Sequence, residues 1–447
     1  MKLTYKKSIV GLAILTTLSG CNVLDQTPQA SLDSATAIND ATTAQAALYG
    51  AYNALQTANA YGTRLTLLPD LEGGNLTHTG TFPSFAQIAN RSILTDNAEV
   101  TNAWNILYDG VNRVNNVIAK VPTITDPTFS ADNKNFVVAE ATFLRAFYYF
   151  TLVRLWGGVP IITQPTTVVS SALQVAKSPA ADVYAQINAD LDKAIASLPA
   201  TYAGAAGKGR ATKPAALAMK AKVALYQQKW ADAASFAQQA STGYSLVPKF
   251  TDLFEAKNTA ESIWELQQDP TNQNSLAFFL LSTARGGRNE VRPSTSLATS
   301  YSATDARAIL TTSFDSKIKY YRISTQDDNI IMIRLGEVLL TRAEALNELG
   351  GDANLATAVT LVNQIRTRAG LTPVSATTAA SQSLMRDEIF LQRRLELALE
   401  GGNYFYDLVR TGRAATRLAN WNPNQALWPI PNREINANPA LKQNDGY

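Results

Sequence analysis

The chain has 447 residues, of which 46% are hydrophobic and 17% charged. That length buries a sizeable core and allows two or three domains or one large unit, and a charged fraction below the roughly 25% of average soluble domains argues against a disordered polyelectrolyte or a nucleic-acid clamp. The net charge of +3 arises from 39 Lys and Arg against 36 Asp and Glu; Lys2, Lys6 and Lys7 stand in an acid-free N-terminal stretch, which leaves 36 of each sign in the remainder.

Residues 1–20 predict a signal peptide, with a basic start, an apolar run from Ile9 to Leu18 and the small residues Ser19 and Gly20. Such a run is far shorter than the roughly 20 residues that cross a bilayer. Leu18-Ser19-Gly20-Cys21 is similar to a bacterial lipobox, in which Cys21 receives diacylglycerol and its amine a fatty acid such as palmitate. Each buried acyl CH2 contributes about 0.8 kcal/mol, and more than one chain is needed for stable anchoring. Cys21 is the single cysteine of the chain, so no intrachain disulfide forms and stability rests on core packing. The polar segment 21–34 is read as a lipidated tether.

From there helical periodicity dominates. Ala44, Ala47, Leu48, Ala51, Tyr52 and Leu55 recur at spacings of three and four and predict a helix over Ala41–Gln56. Val100–Val121 and Ala131–Trp156 follow; in the latter Phe136, Ala139, Phe143, Phe147, Phe150 and Val153 are expected core, and Gly157-Gly158-Val159-Pro160 stops the helix. Ser178–Leu198, Thr212–Gln228 and Trp230–Thr242 are shorter helices, and Ala221, Ala233 and Ala240 suit the close antiparallel packing of tetratricopeptide repeats. Between Tyr244 and Asn329 Gly, Pro, Ser and Thr break the pattern, with a strand-like run at Ser262–Gln267. A second helical pair spans Ile333–Leu349 and Leu355–Ala369. Ala60–Asn97 and Thr372–Ser381 read as further irregular stretches, where binding residues concentrate. The expected fold is mainly α: a degenerate tetratricopeptide-repeat helical scaffold with long irregular loops and a few short strands. Residues 35–243 and 244–447 are its two regions, interleaved as one unit.

Reactive constellations are sparse. His78 is the one histidine, which excludes multi-histidine metal sites, and no G-x-S-x-G elbow occurs. Gly207-Lys208-Gly209 lacks the residues of a phosphate loop. Asp327-Asp328-Asn329 reads as a turn rather than a Ca2+ site, and neither a metal nor a cofactor is expected. Paired acids for glycoside hydrolysis remain at Asp70 with Glu72, Asp327 with Asp328 and Asp387 with Glu388.

A set of segments in order along the mature chain resembles the SusD/RagB family of outer-membrane nutrient-binding lipoproteins of the Bacteroidetes. These are Trp104, Tyr108 and Asn115; Phe143-Leu144-Arg145-Ala146-Phe147-Tyr148-Tyr149-Phe150 running to Leu155-Trp156-Gly157-Gly158-Val159-Pro160; and Arg334-Leu335-Gly336-Glu337-Val338. They continue through Asn363-Gln364-Ile365-Arg366, Arg393-Arg394-Leu395-Glu396, Tyr404-Phe405-Tyr406-Asp407, Pro429-Ile430-Pro431 and Gln443-Asn444-Asp445-Gly446-Tyr447. Gln392, Asn403 and Asp445 depart from the pattern, which usually has Glu, Arg and Pro there; a weaker ion pair and a looser terminal turn are the expected consequences. The resemblance implies a lipid-anchored receptor on the outer leaflet that captures a glycan or peptide for a SusC-like TonB-dependent transporter, with no catalysis and no nucleic-acid partner.

Sugar rings stack on aromatics while their hydroxyls take hydrogen bonds from polar side chains. On that ground two groups in the irregular stretches are candidates: Tyr61, Asp70, His78, Phe82 and Phe85, and Phe278, Phe279, Arg285, Arg288, Tyr301, Tyr320 and Tyr321. Arg366, Arg368, Arg393, Arg394 and Glu396 are read as ion pairs between helices. The competing readings are a helical-repeat lipoprotein that binds only peptide or protein, and a tethered glycosidase. The balanced charge of the mature chain favours neutral sugars over polyanions.

Overall fold

The computed structural model describes residues 37–166, 174–313, 315 and 317–447. The signal peptide, Cys21 and the 21–34 tether lie outside the described residues. The principal helices are α1 (Ala41–Gln56), α2 (Arg64–Glu72), α3 (Pro83–Ala89), α4 (Ala98–Lys120), α5 (Ala131–Trp156), α6 (Ala180–Ser197), α7 (Lys213–Tyr226), α8 (Trp230–Ala240), α9 (Leu335–Leu349), α10 (Asp352–Arg368), α11 (Gln382–Leu397) and α12 (Asn403–Arg410). Four short strands, β1 (Leu76–His78), β2 (Ser262–Leu266), β3 (Val291–Pro293) and β4 (Ile330–Arg334), pair antiparallel as β1–β3 and β2–β4.

Local chemistry explains the helix ends. The Asp40 carboxylate accepts the Thr43 N–H at 2.8 Å and starts α1, which satisfies a donor the helix itself leaves unpaired. Ser130 does the same for α5 through the Asn133 N–H, and Gly157, at φ +70°, ends α5 where a side chain would be strained. From α4 to α10 each helix packs on the next, and α9 also packs on α11. This is the nearest-neighbour succession of a helical solenoid. Ala221, Ala233 and Ala240 are buried between α7 and α8, as their spacing predicts.

α5 is the central helix. Nearly every residue from Ala139 to Trp156 is buried, because its apolar residues cover all sides rather than one stripe. It is long and apolar enough to cross a membrane, yet it is buried within the protein. Phe136 departs from the expected core stripe: it lies half-buried near the start of the helix, at a groove. Two buried polar clamps lock α5 to its neighbours. Arg145 makes paired 2.8 Å bonds to Asp190 of α6 and a 3.0 Å bond to Asn115 of α4, a bidentate geometry that only guanidinium offers. Glu140 accepts the Tyr52 hydroxyl at 2.8 Å and pairs with Arg210.

The largest core draws on both halves of the chain. Trp264 of β2 stands edge-on to Phe143 and Phe147 at 5.1 Å, and Trp156 meets Trp104 at 5.2 Å and Trp428 at 5.6 Å. The terminal segment closes on this group. Asn444 donates to the carbonyls of Trp156 (3.0 Å) and Trp428 (2.8 Å), and Gln443 brackets the backbone of Ile430 with two 2.7 Å bonds. The turn is thus held firmly despite Asp445, against the looser end expected there.

The C-terminal helices enclose an ion network. Arg334 bonds Glu396 (2.6 Å), Glu261 (2.9 Å) and Glu400 (2.7 Å), while Arg307, Arg368 and Lys319 complete it, all buried. Arg366 pairs with Glu388 and Arg393 with Asp407, as read from the sequence. Arg394 does not join an ion pair: it bonds Asn75, Ser300 and Ser296 and stacks on Tyr404 at 4.3 Å. Gln392, in place of the usual Glu, bonds Glu388 at 2.9 Å, and Asn403 accepts from Lys222 at 2.8 Å.

Candidate functional site

Two of the irregular stretches meet through β1 and β3, in the register Leu76 to Pro293, Thr77 to Arg292 and His78 to Val291. This pairing brings residues some 210 positions apart onto one surface. At its centre Glu290, a residue the sequence reading passed over, is fully buried. Its carboxylate accepts from Arg288 Nε (2.6 Å), the Phe82 N–H (2.8 Å) and His78 Nε2 (3.0 Å). Burial alone would raise its pKa, but these donors, Arg288 foremost, hold it below the usual carboxylate range. Gly80 is required beside it, since a Cβ there would overlap the carboxyl group.

Arg288 then spreads over the Phe82 ring at 3.9 Å and donates to Thr81 Oγ1 at 2.9 Å. Behind Phe82 lies an aromatic stack: Phe85 at 5.7 Å, Phe279 at 6.1 Å, and Phe278 packed on Phe279 at 5.9 Å. Phe278 leaves 37% of its surface exposed. Arg285 is exposed on the adjoining turn. The result is a rigid patch with an open aromatic face at Phe278, a half-buried one at Phe82, and polar groups from His78, Thr81, Arg285 and Arg288. Such a patch can stack on the C–H face of a ring and exchange hydrogen bonds with its hydroxyls.

The structure therefore fuses parts of the two predicted groups and discards others. His78, Phe82, Phe278 and Arg288 share the surface, and Arg285 is exposed on the turn that precedes Arg288. Phe85 and Phe279 support it from the core. Tyr61, Asp70, Tyr301 and Tyr320 are buried and leave the candidate list. Tyr61 pairs with Thr151 (2.9 Å), Asp70 accepts from Asn75 (2.9 Å) and Leu399 (2.8 Å), and Tyr301 donates to the Leu395 carbonyl (2.8 Å). Tyr320 packs edge-on to Phe254. The three tyrosines lie beneath the surface of their loops, and Asp70 lies inside α2. Tyr321 is half-buried and makes its ring contacts with Lys317 (5.0 Å) and Arg322 (5.1 Å) instead of the phenylalanines.

The acid pairs are engaged. Asp70 and Glu72 are sealed in the core, where burial pushes their pKa values to about 6 and about 8. Asp327 and Asp328 bind Lys257 and Arg322, and Asp387 and Glu388 bind Arg413 and Arg366. Among the described residues no group of three or more His, Cys, Asp or Glu converges to hold a metal ion. A cavity lined by Tyr61, Arg154, Lys222 and Asn403 measures about 40 Å³, room for water but not for a sugar.

The helical-repeat scaffold that carries this patch has known relatives. The family model described as "SusD family" matches residues 282–426, and that described as "Starch-binding associating with outer membrane" matches residues 23–225. SusD-like protein P2 of Formosa agariphila is 29% identical, with 96% of this chain and 95% of that protein covered. A SusD superfamily protein of Bacteroides vulgatus superposes with a TM-score of 0.81 at 24% identity, covering 91% of this chain and 99% of that one. A laminarin-binding SusD-like protein superposes at 0.76 and 26% identity, covering 92% and 100%. The chain belongs to the SusD/RagB family, and its fold is the tetratricopeptide-like helical fold of that superfamily.

Proposed function

We propose that the protein is a surface lipoprotein of the outer membrane, anchored on the outer leaflet through Cys21, that captures a neutral glycan and passes it to a SusC-like TonB-dependent transporter without chemical conversion. The observation that carries this reading is the assembly of Phe82, His78 and Arg288 around buried Glu290, with Phe278 bonded through its carbonyl to the Arg288 N–H. A rigid aromatic face flanked by donors binds sugar by contact, without long-range charge attraction. The laminarin-binding relative and the starch-binding family description favour a glucan among neutral sugars.

The engagement of the three candidate acid pairs, Asp70 with Glu72, Asp327 with Asp328 and Asp387 with Glu388, in hydrogen bonds or ion pairs supports binding over hydrolysis. The test is retention of the mature chain on laminarin and starch in affinity gels, with Phe278→Ala and Arg288→Ala alongside, and affinity capture of the full lipoprotein from membranes. Retention that both variants weaken, together with a co-purifying TonB-dependent barrel, is expected. Unchanged retention in both variants refutes the site, release of shorter sugars refutes the absence of catalysis, and capture without a barrel refutes the delivery step.

A further inference from the structure

We infer that the groove between the starts of α1 and α5 and the loop after α6 is a second binding site, for a short neutral oligosaccharide, sharing no residue with the Phe82–Phe278 surface. The groove holds about 430 Å³, within the roughly 300–1,000 Å³ of small-molecule sites. Its aromatic lining comes from Tyr202, Phe129 and half-buried Phe136, and its polar lining includes Gln45, Asn133 and Thr201.

Three observations point to a ligand and to its class. First, half-buried Gln45 lines the groove, and its Nε2, turned away from solvent, has no hydrogen-bond partner among the described residues. An unpaired buried donor costs about 1–3 kcal/mol, a cost that rotation of the amide toward a sugar hydroxyl in the groove relieves. Second, the Tyr202 ring is immobilised: its hydroxyl donates to Glu140 at 2.9 Å and the Arg210 guanidinium stacks 3.9 Å from its centre. A pre-fixed aromatic plane binds a ring with little loss of side-chain entropy. Third, among the described residues Arg210 is the single charged residue lining the groove, and Glu140 already neutralises it. The site therefore offers no free charge to a phosphate, a uronic acid or a peptide terminus.

Tyr49 extends the site. It follows Gln45 by one helical turn, so both lie on one face of α1, and it is 51% exposed. A chain that leaves the groove along α1 would meet this second ring.

The ligand class rests on the proposed glycan-binding function, whereas the position of the groove does not, and one titration separates the two. The full mature chain is titrated calorimetrically with maltohexaose, laminarihexaose, xylohexaose and mannohexaose, alongside Gln45→Ala, Tyr49→Ala and Phe278→Ala. Tyr49 is exposed and Gln45 makes no side-chain bond through Nε2, so melting temperatures serve as the control for folding. The expected result is two sites per chain for at least one sugar, with one weakened about tenfold by Tyr49→Ala or Gln45→Ala and the other by Phe278→Ala alone. One site sensitive only to Phe278→Ala overturns the groove and leaves the proposed function standing. One site sensitive only to the groove variants supports the groove and removes the Phe82–Phe278 surface as the binding site. No heat with any of the four sugars overturns the groove as a neutral-sugar site, while retention on laminarin or starch decides the main surface separately.

Discussion

Arg288 lies 3.9 Å over the ring of Phe82 while its Nε donates to Glu290 at 2.6 Å. One guanidinium thus fixes an aromatic plane and is itself fixed by a buried carboxylate. Glu290→Gln removes the anion that pairs with Arg288 and sets an amide NH2 against one of the donors the two carboxylate oxygens accept, which frees Arg288 to swing off Phe82. Glucan affinity is expected to fall by about tenfold with a modest loss of melting temperature. Phe278→Ala is expected to lower affinity similarly, with a small loss of melting temperature from its contact with Phe279; equilibrium titration and thermal melts on both variants check this.

The buried network around Glu396 sets the stability of the C-terminal half. Burial by itself would raise the Glu396 pKa, but Arg368, Arg334 and Arg307 hold it far below the usual range. Glu396→Gln leaves three guanidiniums sharing less negative charge in a dry core. Removing one partner of a buried ion pair costs about 3–5 kcal/mol. A loss of that size in unfolding free energy, read as a lower urea midpoint at unchanged slope, is expected, and a loss below about 1 kcal/mol would contradict the network's role.

What the sequence disclosed followed periodicity. α1 and α5 begin and end where their apolar spacing and the Gly157 stop place them. α2 was hidden in a stretch read as irregular because Pro69 interrupts it and Leu65 to Glu72 are all buried, so no polar face marks its period. The candidate surface was half legible. His78, Phe82, Phe278 and Arg288 stand out as aromatic and polar residues in loops, but Glu290 gains its meaning only from the β1–β3 register, a pairing across some 210 residues that no local pattern encodes. Tyr61, Tyr301 and Tyr320 failed as candidates for the converse reason: these loops have their own buried side chains, and the residue type does not reveal which side of the loop it occupies. The groove at Gln45 and Tyr202 escaped notice because α1 and α5 were read as scaffold.

Close approach of α4 and α5 depends on Gly110. A Cβ at this position would overlap the ring of Tyr148, whose hydroxyl donates to the Ala51 carbonyl of α1 at 2.6 Å. Gly110→Ala must therefore push α5 away or expel Tyr148 from its bond. Against a gain in helix propensity of under about 1 kcal/mol, overpacking of about 1–3 kcal/mol prevails. A net drop in stability is expected by chemical denaturation, and Gly110→Ala combined with Tyr148→Phe, which keeps the ring, should not restore it.

Glu72 gives the fold a pH dependence of unusual sign. Its carboxyl lies in the core, where burial raises its pKa to about 8 although the Trp428 N–H, at 2.7 Å, and the Arg91 charge pull it down. The folded state therefore holds a proton that the unfolded chain, with an ordinary value near 4.5, releases. The stability contributed by that proton is complete below about pH 4.5 and is lost as pH rises toward 8. Asp70, raised to about 6, acts in the same direction over a narrower window. Lys319, lowered to about 8 by burial despite Glu400, favours folding only as pH rises above 8, so it does not mask the trend. Between pH 5 and 8 the melting temperature is expected to fall. Glu72→Gln, which keeps an acceptor for Trp428 and never ionises, should flatten the slope above pH 6 and leave the small Asp70 component below it. A wild-type melting curve that rises from pH 6 to 8 would show that Glu72 is ionised in the folded core.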